Sequence, residues 1–324
     1  MSWTPDLPRF RLFDEPSPLY PLPRFSQALG GRTEIWIKRE DLLPLAFGGN
    51  KLRNLEFLIG DAIARGADAL VTEGRRWSNH CRLTAAAGAK AGLQVHLVLS
   101  GPPRAEAGVN QRLDELLGAT IHLASSADSA DRARLADEVI ADLEHDGRRP
   151  YRIPVGGGGV TGVVGQVIAG QELVDQARAQ SIEVASIVLP SSSGGTQAGL
   201  LVGLDVAGSV ASVVGICVAH AAATLRPAID SLLAELGALT GASVEAGDVT
   251  LEDAFLGPGY GIRSPAAEDA TRLLARTEGI LVDPIYTAKA LAGLIALARE
   301  GAFDGQRVVF WHAGGTPGLF EDLD

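Results

Sequence analysis

Short runs of β-branched and apolar residues alternate with longer stretches whose apolar positions recur at helical spacing, and this alternation is the strongest constraint on the fold. From Lys51 the positions Leu52, Leu55, Leu58, Ile59, Ala62 and Ile63 share one helical face, with Asn50 placed as the N-cap. The order then reads strand ALVTEG, helix over 79–91, strand QVHLVLS, helix over 106–117, strand TIHL and helix over 130–143. After the glycine run at 156–159 a second series follows: helix over 163–179, strands VASIVLP and ASVVGICVA, helices over 222–236, 265–276 and 287–299, and strand RVVFWHA. Strands joined through helices pair in parallel, and a parallel sheet is covered on both faces. A single hydrophobic core stops growing near roughly 250–300 residues, so two such series in 324 residues predict two lobes. The expected fold class is α/β, with two open, twisted, mostly parallel sheets flanked by helices.

A net charge of -11 opposes a broad electrostatic grip on nucleic acid or on an anionic membrane, and a small-molecule partner fits better. Two cysteines, Cys81 and Cys217, cannot build a disulfide framework and suit a reducing compartment. No stretch offers about 18 uninterrupted apolar residues, and the N-terminal segment has no apolar run of the signal-peptide kind, so a cytoplasmic setting is expected. No metal site is expected. The alanine-rich, acidic stretch at 125–137 reads as a solvated helix face.

Two local patterns carry chemistry. The loop Ser191-Ser192-Ser193-Gly194-Gly195-Thr196-Gln197 joins an apolar strand to a helical pattern. Backbone N–H groups at such a helix start, with hydroxyl donors beside them, make an anion cradle, although a plain strand-to-helix turn uses the same residue types. The loop is neither a Walker sequence nor a GxGxxG fingerprint, which disfavours a nucleotide-binding enzyme. Lys51 follows Gly48-Gly49-Asn50 at a helix start, where an ammonium opposes the helix dipole. A Schiff base to an aldehyde cofactor removes that charge, and lysine is the residue that forms one.

The stretches IKREDL and FGGNKLRNLE, the Ser78-Asn79-His80 turn, SGGTQAGL, GPGYG, Asp283-Pro284-Ile285-Tyr286 and His312-Ala313-Gly314-Gly315 span most of the chain. Together they resemble the D-cysteine desulfhydrase and 1-aminocyclopropane-1-carboxylate deaminase family. The resemblance implies the tryptophan-synthase-β-like fold of pyridoxal-phosphate enzymes, fold type II, with a large domain over 1–51 and 162–324 and a small inserted domain over 52–161. It implies pyridoxal 5'-phosphate on Lys51, with Asn50 beside it, and Ser193, Gly194, Gly195 and Thr196 on the phosphate. Asn79 matches the asparagine that meets the cofactor's ring hydroxyl, and Ser78 the serine near the substrate's carboxylate or reactive carbon, although Ser78 could equally be only a helix cap. Tyr260 and Tyr286 match two active-site tyrosines, against the alternative of buried aromatics with satisfied hydroxyls. His80 is a substrate candidate or a structural histidine. A homodimer acting on an amino-acid substrate is the expected assembly.

In the family's deaminases a glutamate follows the DPxY tyrosine and faces the pyridine nitrogen, and a leucine follows the histidine of the HxGG turn. Thr287 and Ala313 stand there in this chain. A neutral hydroxyl stabilises a pyridinium less than a carboxylate does, so Thr287 favours β-elimination. Ala313 matches neither branch, and Trp77 replaces the usual glutamine before the serine. Arg75 and Arg76 add two cations that are either surface residues or a subsite for an anionic β-substituent such as a sulfonate. The reading is a pyridoxal-phosphate lyase of the D-cysteine desulfhydrase type. The alternatives are a cyclopropane-carboxylate deaminase, a cysteate sulfo-lyase and a non-catalytic cofactor- or metabolite-binding regulatory protein.

Overall fold

The computed structural model describes residues 3–101 and 106–321. In chain order the elements are β1 (Leu19–Pro21), α1 (Pro23–Ala28), β2 (Glu34–Arg39), α2 (Lys51–Ala64), β3 (Ala69–Arg75), α3 (Asn79–Ala91), β4 (Gln94–Ser100), α4 (Val109–Leu116), β5 (Thr120–Leu123) and α5 (Ser129–His145). They continue with β6 (Pro150–Arg152), α6 (Gly159–Ala179), β7 (Ser186–Ser191), α7 (Gly195–Val206), β8 (Ser212–Cys217), α8 (Ala222–Thr240), β9 (Val249–Glu252), α9 (Pro265–Glu278), α10 (Thr287–Arg299) and β10 (Arg307–His312). Six strands form one sheet in the order β1-β2-β10-β7-β8-β9, and four form another in the order β5-β4-β3-β6. Every pairing is parallel except β1 with β2.

The larger sheet draws its strands from both sides of the smaller one in sequence, so residues 69–152 form a sheet of their own inside the chain. The small sheet's core joins α2, α3, β3 and β4 through Leu52, Leu55, Ile59, Leu70, Leu83 and Leu97. Leu12, Phe13 and Leu43 pack into that same core, although they lie within 1–51, the segment expected to belong wholly to the large domain. Apolar side chains near the N-terminus thus close the open face of α2. Strand β3 is buried along nearly its whole length, as a central strand covered on two faces should be.

Helix α6 is buried almost all round and lies between α2 and α7. A side chain at Gly165 would overlap the Arg53 carbonyl of α2, and one at Gly170 would sit 3.0 Å from the Gly203 Cα of α7. The small residues let three helix backbones approach closely and bring the N-termini of α2 and α7 together. Arg53, two residues past Lys51, donates to Glu40 (2.6 Å) and Glu172 (2.9 Å), and Lys38 donates to Glu172 at 2.5 Å. This ion cluster seats the first turn of α2 between β2 and α6, because these buried charges compensate one another there.

Asn50 stands at the cap position of α2 but does not cap it: its backbone is already helical and its side chain makes no capping bond. Its Nδ2 instead donates 2.8 Å to Thr196 Oγ1, across to α7. Among the described residues no helix is long and apolar enough to cross a membrane.

Candidate active site

A cavity of about 710 Å³ opens at the C-terminal ends of β3, β7, β8 and β10. It is the crevice where parallel sheets present their loops. Lys51, in the first turn of α2, lies on its wall. Lys51 Nζ and Ser193 Oγ flank the bare Gly156, where a Cβ would come within 3.8 and 3.7 Å of them. Burial lowers the Lys51 pKa to about 8, since the charged form loses hydration there.

The loop 191–197 wraps the N-terminus of α7. Gly194 is left-handed, with φ +79, and a side chain there would overlap Ile229, so glycine is obligatory. Amides in the first turn of a helix have no acceptor within it. Gly194, Thr196 and Gln197, around the start of α7, line the cavity. Because Thr196 Oγ1 accepts from Asn50, its own hydrogen is free for an anion. Ser191 Oγ is buried, lines the cavity and has no partner among the described residues. An orphaned hydroxyl beside the unpaired first-turn amides of a helix is the kind of donor set that suits a phosphate monoester.

Ser78 caps α3 by accepting from Cys81 N at 3.2 Å and also lines the cavity, so the capping role does not take it away from the site. Asn79 Oδ1 accepts from Arg82 Nη1 at 2.7 Å, which leaves its Nδ2 turned toward the loop after β10, where a Cβ on Gly315 would lie 2.8 Å away. His80 lines the cavity as well. Thr72 Oγ1 donates to the Ile153 carbonyl (2.9 Å) and so accepts from His80 Nε2 (3.0 Å), which fixes the neutral tautomer with a bare Nδ1. That Nδ1 is buried and unpartnered among the described residues, and burial with the nearby Lys51 charge pushes the imidazole pKa down to about 3.

Tyr260 and Tyr286 share a hydrogen bond between their hydroxyls, and their rings meet edge to face at 5.8 Å. Burial raises both phenols, Tyr286 the more, so both stay protonated near neutrality. Lys289 holds the loop carrying Tyr260 by donating to the carbonyls of Leu256 (2.7 Å) and Gly259 (2.8 Å). Asp283 accepts from the amides of Ile285, Tyr286 and Thr287 and from Thr287 Oγ1 at 2.6 Å, capping α10 with a carboxylate. Thr287 Oγ1 also lies 3.0 Å from the Gly314 carbonyl, and Ala313 lines the cavity while accepting from Asn50 N at 2.9 Å.

Three sequence expectations meet a different placement. Trp77 is not on the cavity wall: it backs Tyr260 at 6.2 Å and fills the space that a side chain on Gly261 would need. Arg75 does reach the cavity, with its guanidinium 6.0 Å from the Trp77 ring, whereas Arg76 does not line it. The stretch read as a solvated helix face contributes Asp128, Ser129 and Arg132 to the cavity. Arg132 is buried there, bonded to Glu73 (3.2 Å) and Ser100 (2.9 Å). Helical periodicity alone could have flagged it, since Arg132 shares a face with Ala136, Val139 and Leu143. His220, on the loop after β8, also lines the cavity, and nothing in its sequence surroundings marks it.

Comparison with known proteins agrees with this geometry. The family described as pyridoxal-phosphate dependent enzymes matches residues 11–314. D-cysteine desulfhydrases of Klebsiella pneumoniae (strain 342) and Salmonella choleraesuis (strain SC-B67) are each 40% identical over 319 residues, covering 97% of this chain and 95% of theirs. A crystal structure of an ACC deaminase homologue superposes with a TM-score of 0.89 at 37% identity, covering 97% of this chain and 94% of that one. A fungal L-serine ammonia-lyase structure from Rhizomucor miehei, at 17% identity and a TM-score of 0.69 over 95% of each chain, shares the fold. With a lysine of lowered basicity and a helix-start loop suited to an anion meeting in one cavity, and a match that runs nearly end to end, the chain belongs to the family of pyridoxal-phosphate dependent enzymes.

Proposed function

We propose that the chain is a lyase that eliminates the β-substituent of a small amino acid, D-cysteine foremost, to give an α-keto acid and ammonia. One observation carries the reading: a lysine of lowered basicity, an anion cradle and a tyrosine pair share a single cavity. When bound, pyridoxal phosphate supplies the electron sink that makes a substrate's α-carbon acidic. Ser193, Gly194, Gly195 and Thr196 would hold its phosphate, Lys51 its aldehyde carbon and Asn79 its ring hydroxyl.

Lys51, with a pKa of about 8, keeps a useful share of free amine near neutrality and takes the α-proton. Ser78, whose oxygen accepts from Cys81 N, keeps its own hydrogen for the substrate carboxylate. The tyrosine pair has two hydroxyl hydrogens and spends one internally, so the other is available to a departing thiolate. From cysteine and water the products balance as hydrogen sulfide, pyruvate and ammonia. Thr287 offers a neutral oxygen rather than a carboxylate at the place where the deaminases use glutamate, which supports elimination over opening of a cyclopropane.

Arg75 favours a second reading. It lines the cavity and has no ion pair among the described residues, as a subsite for an anionic β-substituent requires. A panel of D- and L-cysteine, cysteate, β-chloroalanine, D-serine and the cyclopropane acid separates the readings. Pyruvate and ammonia in equal amounts from D-cysteine or β-chloroalanine support the first, preference for cysteate supports the second, and 2-oxobutyrate from the cyclopropane acid assigns a deaminase. No turnover of any of them by the cofactor-loaded protein leaves the regulatory binding role. The domain boundaries named above, a homodimeric assembly and a cytoplasmic setting belong to the same proposal, and sedimentation of the purified protein tests the dimer.

A further inference from the structure

Arg82, on α3, has no exposed surface, and among the described residues each of its hydrogen bonds goes to a neutral oxygen. Its Nη1 lies 2.7 Å from both Asn79 Oδ1 and Asn110 Oδ1, its Nε 3.2 Å from the Ala46 carbonyl and its Nη2 3.4 Å from the Gly48 carbonyl. The two carbonyls belong to an unusual segment. Ala46, Phe47, Gly48 and Gly49 all have positive φ (45, 67, 63 and 132), and two of the four are not glycine. Backbone of this kind persists only where its surroundings hold it. It ends at Asn50, directly before Lys51. On the other side, Asn110 is itself fixed, donating from Nδ2 to the Trp77 carbonyl at 2.8 Å and toward Asn79 Oδ1 at 3.4 Å.

We propose that Arg82 is a positioning residue that joins the two grips on the cofactor into one rigid frame. Its Nε and Nη2 edge holds the left-handed loop that delivers Lys51. Nη1 holds the oxygen of the Asn79 carboxamide, so that the amide nitrogen can face only the cavity side. A lysine cannot do both, because a single ammonium lacks the planar fork that reaches the two sides at once. Asp283 and Glu321 offset the buried charge from a distance without bonding to it, and Asp114 joins them only once it ionises, above about pH 8. The inference rests on the reading that Lys51 and Asn79 hold pyridoxal phosphate. One of its readouts uses cofactor-free protein and is independent of that reading.

The test compares Arg82→Lys and Arg82→Met with Thr84→Ala, a buried change on the same helix whose hydroxyl donates to the His80 carbonyl of its own helix. In cofactor-free protein, amide hydrogen exchange at residues 48–51 should accelerate at least tenfold in both Arg82 variants and stay within twofold in Thr84→Ala. In loaded protein, pyridoxal-phosphate affinity should fall about tenfold or more, and the visible absorption band should move in the Arg82 variants alone. Unchanged exchange, affinity and band in a folded Arg82 variant overturn the proposal, as do changes that merely track the melting temperature as Thr84→Ala does. Should neither Arg82 variant fold, Asn110→Ser decides, because it removes one partner of Arg82 Nη1 and one support of Asn79 but leaves Arg82 Nε and Nη2 on the loop: a shifted band with normal exchange at 48–51 supports the frame, and an unmoved band refutes it.

Discussion

Replacing Lys51 by methionine in the cofactor-free protein should raise its stability, with a defined dependence on pH. Burial lowers the ammonium pKa from 10.5 to about 8. At 1.36 kcal/mol per pH decade, the folded state carries a penalty of about 3 kcal/mol for holding the charge, a ceiling because water can enter the cavity. Below pH 8 both states keep the proton and the penalty is complete. Between 8 and 10.5 the unfolded chain still binds the proton while the folded protein releases it, so the penalty fades, and above 10.5 it is gone. Methionine matches the length of the lysine stem and has nothing to titrate. The advantage of Lys51→Met, measured by urea unfolding of cofactor-free proteins, should therefore be about 1–3 kcal/mol at pH 7 and shrink steadily toward pH 10.5. Groups that do not feel Lys51 titrate alike in the two proteins and cancel in the difference, and the buried His80, whose pKa of about 3 the Lys51 charge helps to lower, titrates below this pH range. An advantage that is flat across this range would reflect packing alone and would refute the desolvation argument.

With the phosphate placed as proposed, the Thr196 hydroxyl would make a charge-assisted bond contributing roughly 1.5–3 kcal/mol, so Thr196→Ala should bind pyridoxal phosphate about ten- to a hundredfold more weakly. Thr196→Ser should bind nearly as the wild type does, and equal affinity of the alanine variant by equilibrium titration would move the phosphate elsewhere. Gly194→Ala forces a side chain into Ile229 at a left-handed position, and its cofactor affinity should drop by at least an order of magnitude in the same titration. The Asp114 carboxyl is buried with both oxygens unpartnered among the described residues, and burial raises its pKa to about 8, so its cost to stability grows as pH rises from about 4 through 8. Asp114→Asn should match the wild-type melting temperature near pH 4 and exceed it at pH 8.5; a constant offset would mean that the carboxyl is charged throughout.

The parts of the fold legible in the sequence are those with enough residues to show a period. Helix α10 and helix α3 stand at the residues expected of them, whereas β1, β6 and β9, with three or four residues each, show no period. β1 and β6 also contain proline, which usually argues against a strand but is tolerated at a sheet edge, where both lie. In the site, the lysine and the cradle are legible because each is a local arrangement of glycines and hydroxyls. What joins them is not. The Asn50 bond to Thr196 spans 146 positions, and the fork of Arg82 reaches back 36 and 34 positions to two carbonyls. Such partners have no spacing to detect, and Asn50 reads as a cap only because its residue type fits that role.

The packing of α2 against α6 and α7 has a consequence for how this chain could acquire new substrates. Lys51 and the loop 191–197 hang from three helix backbones in near contact, where even a methyl group at Gly165 has no room. The outer wall of the cavity comes from other pieces: Asp128, Ser129 and Arg132 at the start of α5, and Ala219 and His220 on the loop after β8. None of these five belongs to the three-helix stack. Substitutions along that wall can change the size and charge of the side chain admitted while leaving the bond-breaking apparatus in register. A mutational library confined to those positions should retain cofactor loading in most of its members and vary chiefly in which amino acid it consumes.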